Sequence, residues 1–183
     1  MKKSLVVSGS GVVTILVVTM LVASLPGMTG CSRKSRLKDW YNVSLDVYRE
    51  GLKTNWANEE EYKSLNIADD LKGNNPNKKI GYLLVDLDED GVDELLIGFN
   101  DGSTATKFTD VLVWHSDLGA YKLLGGGSGY YIYLCAGNVL AVDSWYGSQT
   151  ERTFMTWNSK TNSFPHVDGE GKYLPMKWDL TEF

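Results

Sequence analysis

Apolar residues follow two different periods along this chain, and an uncharged stretch precedes both. From Leu37 to about Leu52, the residues Leu37, Trp40, Tyr41, Leu45, Val47, Tyr48 and Leu52 recur at spacings near three and four, with charges between them. That is the stripe of an amphipathic helix. Asn58-Glu59-Glu60-Glu61 then places acid where a helix dipole favours it, and Tyr62, Leu65, Ile67, Ala68 and Leu71 supply one apolar side. A second, shorter helix is predicted there, ended by the loop Gly73-Asn74-Asn75-Pro76-Asn77. Beyond Lys78 the period changes. Residues 80–85 and 95–99 are continuous apolar runs of strand length, the pattern of strands buried on both faces. Further strands are predicted at 108–115, 120–124, 130–135, 138–143, 151–157 and 163–167, separated by turn signals such as Asn100-Asp101-Gly102 and Ala136-Gly137-Asn138. Connections this short cannot carry parallel crossovers. The predicted fold is therefore α+β, with N-terminal amphipathic helices packed on an antiparallel β-meander.

The N-terminus carries a different signal. Met1-Lys2-Lys3 is followed by residues almost free of charge from Ser4 to Gly30, densest in apolar side chains at 12–25. Positive residues, an apolar stretch and small residues before a cut site describe a secretory leader. The span from Leu5 to Leu25 is 21 residues, long enough to cross a bilayer, so an uncleaved anchor is the alternative. Arg33, Lys34, Arg36 and Lys38 follow the span against Lys2 and Lys3 before it, which for a retained helix favours the opposite orientation. Met28-Thr29-Gly30-Cys31 resembles the lipobox of bacterial lipoproteins, with Met28 where that family usually has Leu. The resemblance implies cleavage before Cys31, a lipid on its thiol, and a domain on the outer face of the bacterial cytoplasmic membrane. The organisation expected is a leader over 1–30, a tether over 31–36 and one domain over 37–183.

Without the leader, 16 basic residues face 23 acidic ones, a formal charge of −7. No basic patch follows the short run after Cys31, which argues against nucleic acid as a partner. Only Cys31 and Cys135 are present. If Cys31 carries lipid, Cys135 has no disulfide partner, and its strand-like surroundings predict a buried thiol.

The densest chemistry lies in Asp86-Leu87-Asp88-Glu89-Asp90-Gly91-Val92-Asp93-Glu94. Three carboxylates alternate along one loop, a glycine follows, and Glu94 closes the run. Hard oxygens at this spacing suit calcium, which takes six to eight of them at about 2.3–2.6 Å. The expected ligands are the side chains of Asp86, Asp88, Asp90 and Glu94 and the carbonyl of Val92, with Gly91 allowing the backbone to reverse. The run matches an EF-hand loop up to Val92 but has Ile97 where that loop needs its bidentate glutamate. A strand–loop–strand version resembles the calcium hairpins of integrin-type repeats. More widely, residues 80–99 look like the signature of small secreted or lipid-anchored proteins of Gram-positive bacteria. That resemblance covers roughly residues 37–170 and implies helix, calcium hairpin and β-meander; it brings no established activity.

Other chemistry is sparser. His115 is followed by Ser116 and Asp117, but adjacent strand residues point to opposite faces, so no triad is read there. Gly125-Gly126-Gly127-Ser128-Gly129 lacks the helix and lysine of a phosphate loop and reads as a flexible hairpin. Asp110, Asp143 and Glu151 are the carboxylates from which a glycan or peptide hydrolase would have to be assembled. Tyr130, Tyr131, Tyr133, Trp145, Tyr146 and Trp157 read first as core, and otherwise as a platform for a glycan or protein ligand. With no nucleophile–base pair legible, the leading expectation is a non-catalytic surface binding module whose calcium is mainly structural.

Overall fold

The computed structural model describes residues 33–57, 62, 67–73, 75–115, 119–125, 130–169 and 171–183. Helix α1, Arg33–Lys53, includes residues that the sequence assigns to the tether. Its apolar stripe is used as predicted: Tyr41, Leu45 and Tyr48 are buried against Leu95, Ile97 and Leu112. Gly51 makes room for the chain to fold back, since a Cβ there would lie 2.2 Å from the Trp56 ring. Trp56 is buried edge-on to Tyr48 and Tyr62 and donates its indole N–H to the Leu71 carbonyl. Of the second predicted helix, residues 58–61 and 63–66 lie outside the described residues. Tyr62 is helical, and Asp69–Leu71 form a 3-10 turn.

Among the described residues, eight strands make one antiparallel sheet: β1 Lys79–Val85, β2 Glu94–Asn100, β3 Lys107–His115, β4 Gly119–Gly125, β5 Tyr130–Leu134, β6 Leu140–Tyr146, β7 Gln149–Met155 and β8 Thr181–Glu182. The architecture is thus α+β in the broad sense, one described helix on an antiparallel sheet. The order is β7-β6-β5-β3-β2-β1-β8, with β4 also pairing β3. It departs from a simple meander twice. Strand β5 returns to β3 at Phe108↔Ile132, and the C-terminal β8 closes the far edge by pairing with β1.

Strand β2 lies inside the sheet between β1 and β3 and is buried along nearly its whole length, as its continuous apolar run predicts. One face packs under α1. The other carries Leu96, Phe108, Val111, Ile132, Leu134, Leu140 and Val142 and is covered by the C-terminal segment through Trp157, Phe164, Trp178 and Leu180. The predicted strand at 163–167 is a correction. Pro165 brings no N–H, and the segment makes only the isolated bridges Asn158↔Ser163 and Met155↔His166.

Candidate metal centre

The β1–β2 register runs without a slip from Lys79↔Asn100 to Val85↔Glu94, so residues 86–93 form a hairpin loop whose outgoing strand begins with Glu94. The loop is folded largely by its own carboxylates. Asp86 accepts the N–H of Asp90 on Oδ1 at 3.0 Å and that of Gly91 on Oδ2 at 2.7 Å. Asp90 Oδ1 accepts from the Val92 amide at 2.8 Å. Gly91 has φ 85°, a conformation in which a side chain is strained. Leu87 anchors the loop by burying its side chain, and its amide donates to Glu94 Oε2 at 2.8 Å.

Oxygens of Asp86, Asp88 and Glu94 all lie within 4.8 Å of one another. Twice a calcium–oxygen distance is about 4.6–5.2 Å, so one ion can touch all three. At an effective dielectric of about 20, each ionised pair at that separation would repel by roughly 3 to 4 kcal/mol. Glu94, only 2 % exposed, feels this most. Burial, then the charges of Asp88, Asp90 and Asp86, push its pKa up to about 8 against the opposing Leu87 N–H. Asp88 Oδ1 is a buried oxygen with no hydrogen-bond partner. A buried carboxylate oxygen in that position lacks a cation or a donor. Asp90 is near enough for its charge to act on Glu94, and it accepts the Val92 amide.

Three residues that the sequence does not connect to the loop frame it. Asn138 donates its amide to the Asp86 carbonyl at 2.9 Å. Ser159 donates its N–H to Asp88 Oδ2 at 2.7 Å and its hydroxyl to Asp90 Oδ2 at 3.0 Å. Tyr41 on α1 is buried near the loop, its hydroxyl held well above the usual range by burial and by the charges of Glu94, Asp93 and Asp90. Turn signals mark Asn138 and Ser159 in the sequence, but nothing local links them to residues dozens of positions away.

The remaining candidates are dispersed. Cys31 and the leader lie outside the described residues, as do Ser116, Asp117, Gly126, Gly127, Ser128 and Gly129. No helix among the described residues is long and apolar enough to cross a membrane. Cys135 is a buried free thiol whose pKa burial pushes up. The three candidate hydrolase carboxylates sit in different settings. Asp110 is wholly buried and accepts from the Thr109 hydroxyl, Asp143 is held bidentately by Arg152, and Glu151 follows Ser144 onto the opposite face from Asp143. Among the aromatics, Trp157 and Tyr133 are buried, whereas Tyr130 is 46 % and Trp145 38 % exposed. Trp145 stands edge-on to Tyr131 with centroids 5.0 Å apart. No protein-family model, curated protein or solved structure matches this chain.

Proposed function

We propose that this chain is a lipid-anchored, extracytoplasmic calcium-binding protein in which the ion serves mainly to hold the fold, and that it acts as a surface binding module. The observation that carries the calcium reading is the convergence of Asp86, Asp88 and Glu94 oxygens within 4.8 Å in a loop that also holds the buried, unsatisfied Asp88 Oδ1. All are hard oxygens, the donor set calcium takes. Glycan or protein remains the ligand class, and the half-exposed Trp145 beside Tyr131 is the surface that supports it.

Melting of a protein beginning at Ser32, with and without calcium, tests the ion. Calcium at ten times its dissociation constant contributes about 1.4 kcal/mol by mass action. For a domain of this size that raises the midpoint by roughly 3–6 °C. Asp88→Ala is expected to abolish the rise; a variant with an unchanged midpoint and an unchanged calcium response refutes the reading. Mass spectrometry of the membrane fraction tests the address, where a lipid-modified N-terminal Cys31 is expected and an intact Met1 indicates an uncleaved anchor.

A further inference from the structure

We propose that Ser159 is a positioning residue of the calcium site, and that an ion bound in the 86–94 loop is felt at the turn 158–163. The proposal rests on the calcium reading and adds to it a residue and a route of coupling. The turn is braced from within. Asn158 Oδ1 accepts the amides of Lys160 and Thr161 at 3.1 and 3.2 Å. Asn158 and Ser163 exchange backbone hydrogen bonds at 3.0 and 3.3 Å. With those groups satisfied inside the turn, both Ser159 donors point out of it, the N–H to Asp88 and the hydroxyl to Asp90.

These contacts join segments 71 and 69 positions apart, so loop geometry does not impose them. One residue thereby orients two carboxylates. Holding Asp88 by Oδ2 leaves Oδ1 as the buried oxygen that has no hydrogen-bond partner. Asp90 is held in the same way, its Oδ2 by the Ser159 hydroxyl and its Oδ1 by the Val92 amide. Asn138 fastens the backbone of the same loop from another segment, through the Asp86 carbonyl. An ion that immobilises Asp88 must also immobilise the donor of its other oxygen. By reciprocity, an ion that strengthens this contact gains affinity from it by the same factor.

The test is calcium titration calorimetry and hydrogen exchange on the full chain extracted in detergent, comparing wild type with Ser159→Ala, Ser159→Thr and Thr161→Ala. The Thr161 hydroxyl bonds within the turn, to Ser163 and the Asn158 carbonyl, and so controls for general damage there. Ser159→Ala keeps the amide bond to Asp88 but removes the hydroxyl bond that orients Asp90, the other expected ligand it holds, and is expected to weaken calcium about three- to tenfold. Ser159→Thr, which keeps the hydroxyl, and Thr161→Ala are expected to stay within about twofold of wild type. Calcium is expected to slow exchange of the Ser159 amide together with those of the loop. Equal affinity in Ser159→Ala overturns the proposal, as does calcium protection confined to residues 86–94. The hydrogen-exchange result on wild type stands even if a variant fails to fold. A wild-type chain that binds no calcium instead sinks the calcium reading itself, so the two failures are distinguishable.

Discussion

Glu94 places a carboxylate at the first position of β2, where water is excluded and three other carboxylates lie nearby. Its pKa rises from about 4.5 to about 8. Below about 4.5 the group is protonated in both folded and unfolded chains, and its contribution to stability is fully present. As pH rises towards 8 the unfolded chain ionises freely while the folded one resists, so that contribution is lost. Calcium takes the ionised form, so binding at pH 6.5 should release close to one proton per ion. Calorimetry in two buffers of different ionisation enthalpy measures this, and zero release removes Glu94 from the ligand set. Glu94→Gln keeps an acceptor for the Leu87 amide and discards the charge. It should melt, without calcium, at or above the wild-type midpoint and lose the calcium-induced rise. Gly91→Ala tests the turn. A Cβ meets nothing within 4 Å, so the cost is that of the positive φ alone. That is about 1 kcal/mol, seen as a midpoint lowered by roughly 2–4 °C.

At the scale of elements, the sheet needs two covers, and they come from opposite ends of the chain. Helix α1 covers the face of Leu95, Ile97 and Leu112 with a stripe that is periodic and therefore legible in the sequence. The opposite cover has no period. Among the described residues of 156–180 no regular strand forms, and they are held by specific bonds. Trp178 donates its indole N–H to the Leu134 carbonyl, accepts from the Asn100 amide on its own carbonyl, and donates its backbone N–H to the Thr106 hydroxyl oxygen. Trp178→Ala removes a partly buried ring and those indole contacts. A loss of about 3 kcal/mol is expected in urea unfolding, near the lower end for such truncations because the ring is not fully enclosed. A loss below about 1 kcal/mol would mean that the segment lies on the sheet without holding it.

At the scale of the whole molecule, the loop, the turn at Asn138 and the turn at Ser159 belong to separate parts of the chain that the sheet brings together. If calcium only adds stability to an already formed fold, it should raise the urea midpoint while leaving the slope of the transition unchanged, because the same surface is exposed on unfolding. A steeper slope with calcium would show that the ion folds a part of the chain that is otherwise open. The features legible in the sequence are those set by neighbours: the helical stripe of α1, seven of the eight strands, the carboxylate spacing of the loop and the glycine that turns it. Each follows from a backbone period or a local φ requirement. Strand β8, the return of β5 to β3 and the C-terminal cover depend on pairings between distant segments, for which a short run of residues carries no signal. The same division runs through the site. Spacing alone nominated Asp86, Asp88, Asp90 and Glu94. Only the tertiary structure brings the donors of Ser159 and Asn138 to that loop, because the packing of the sheet joins segments dozens of positions apart.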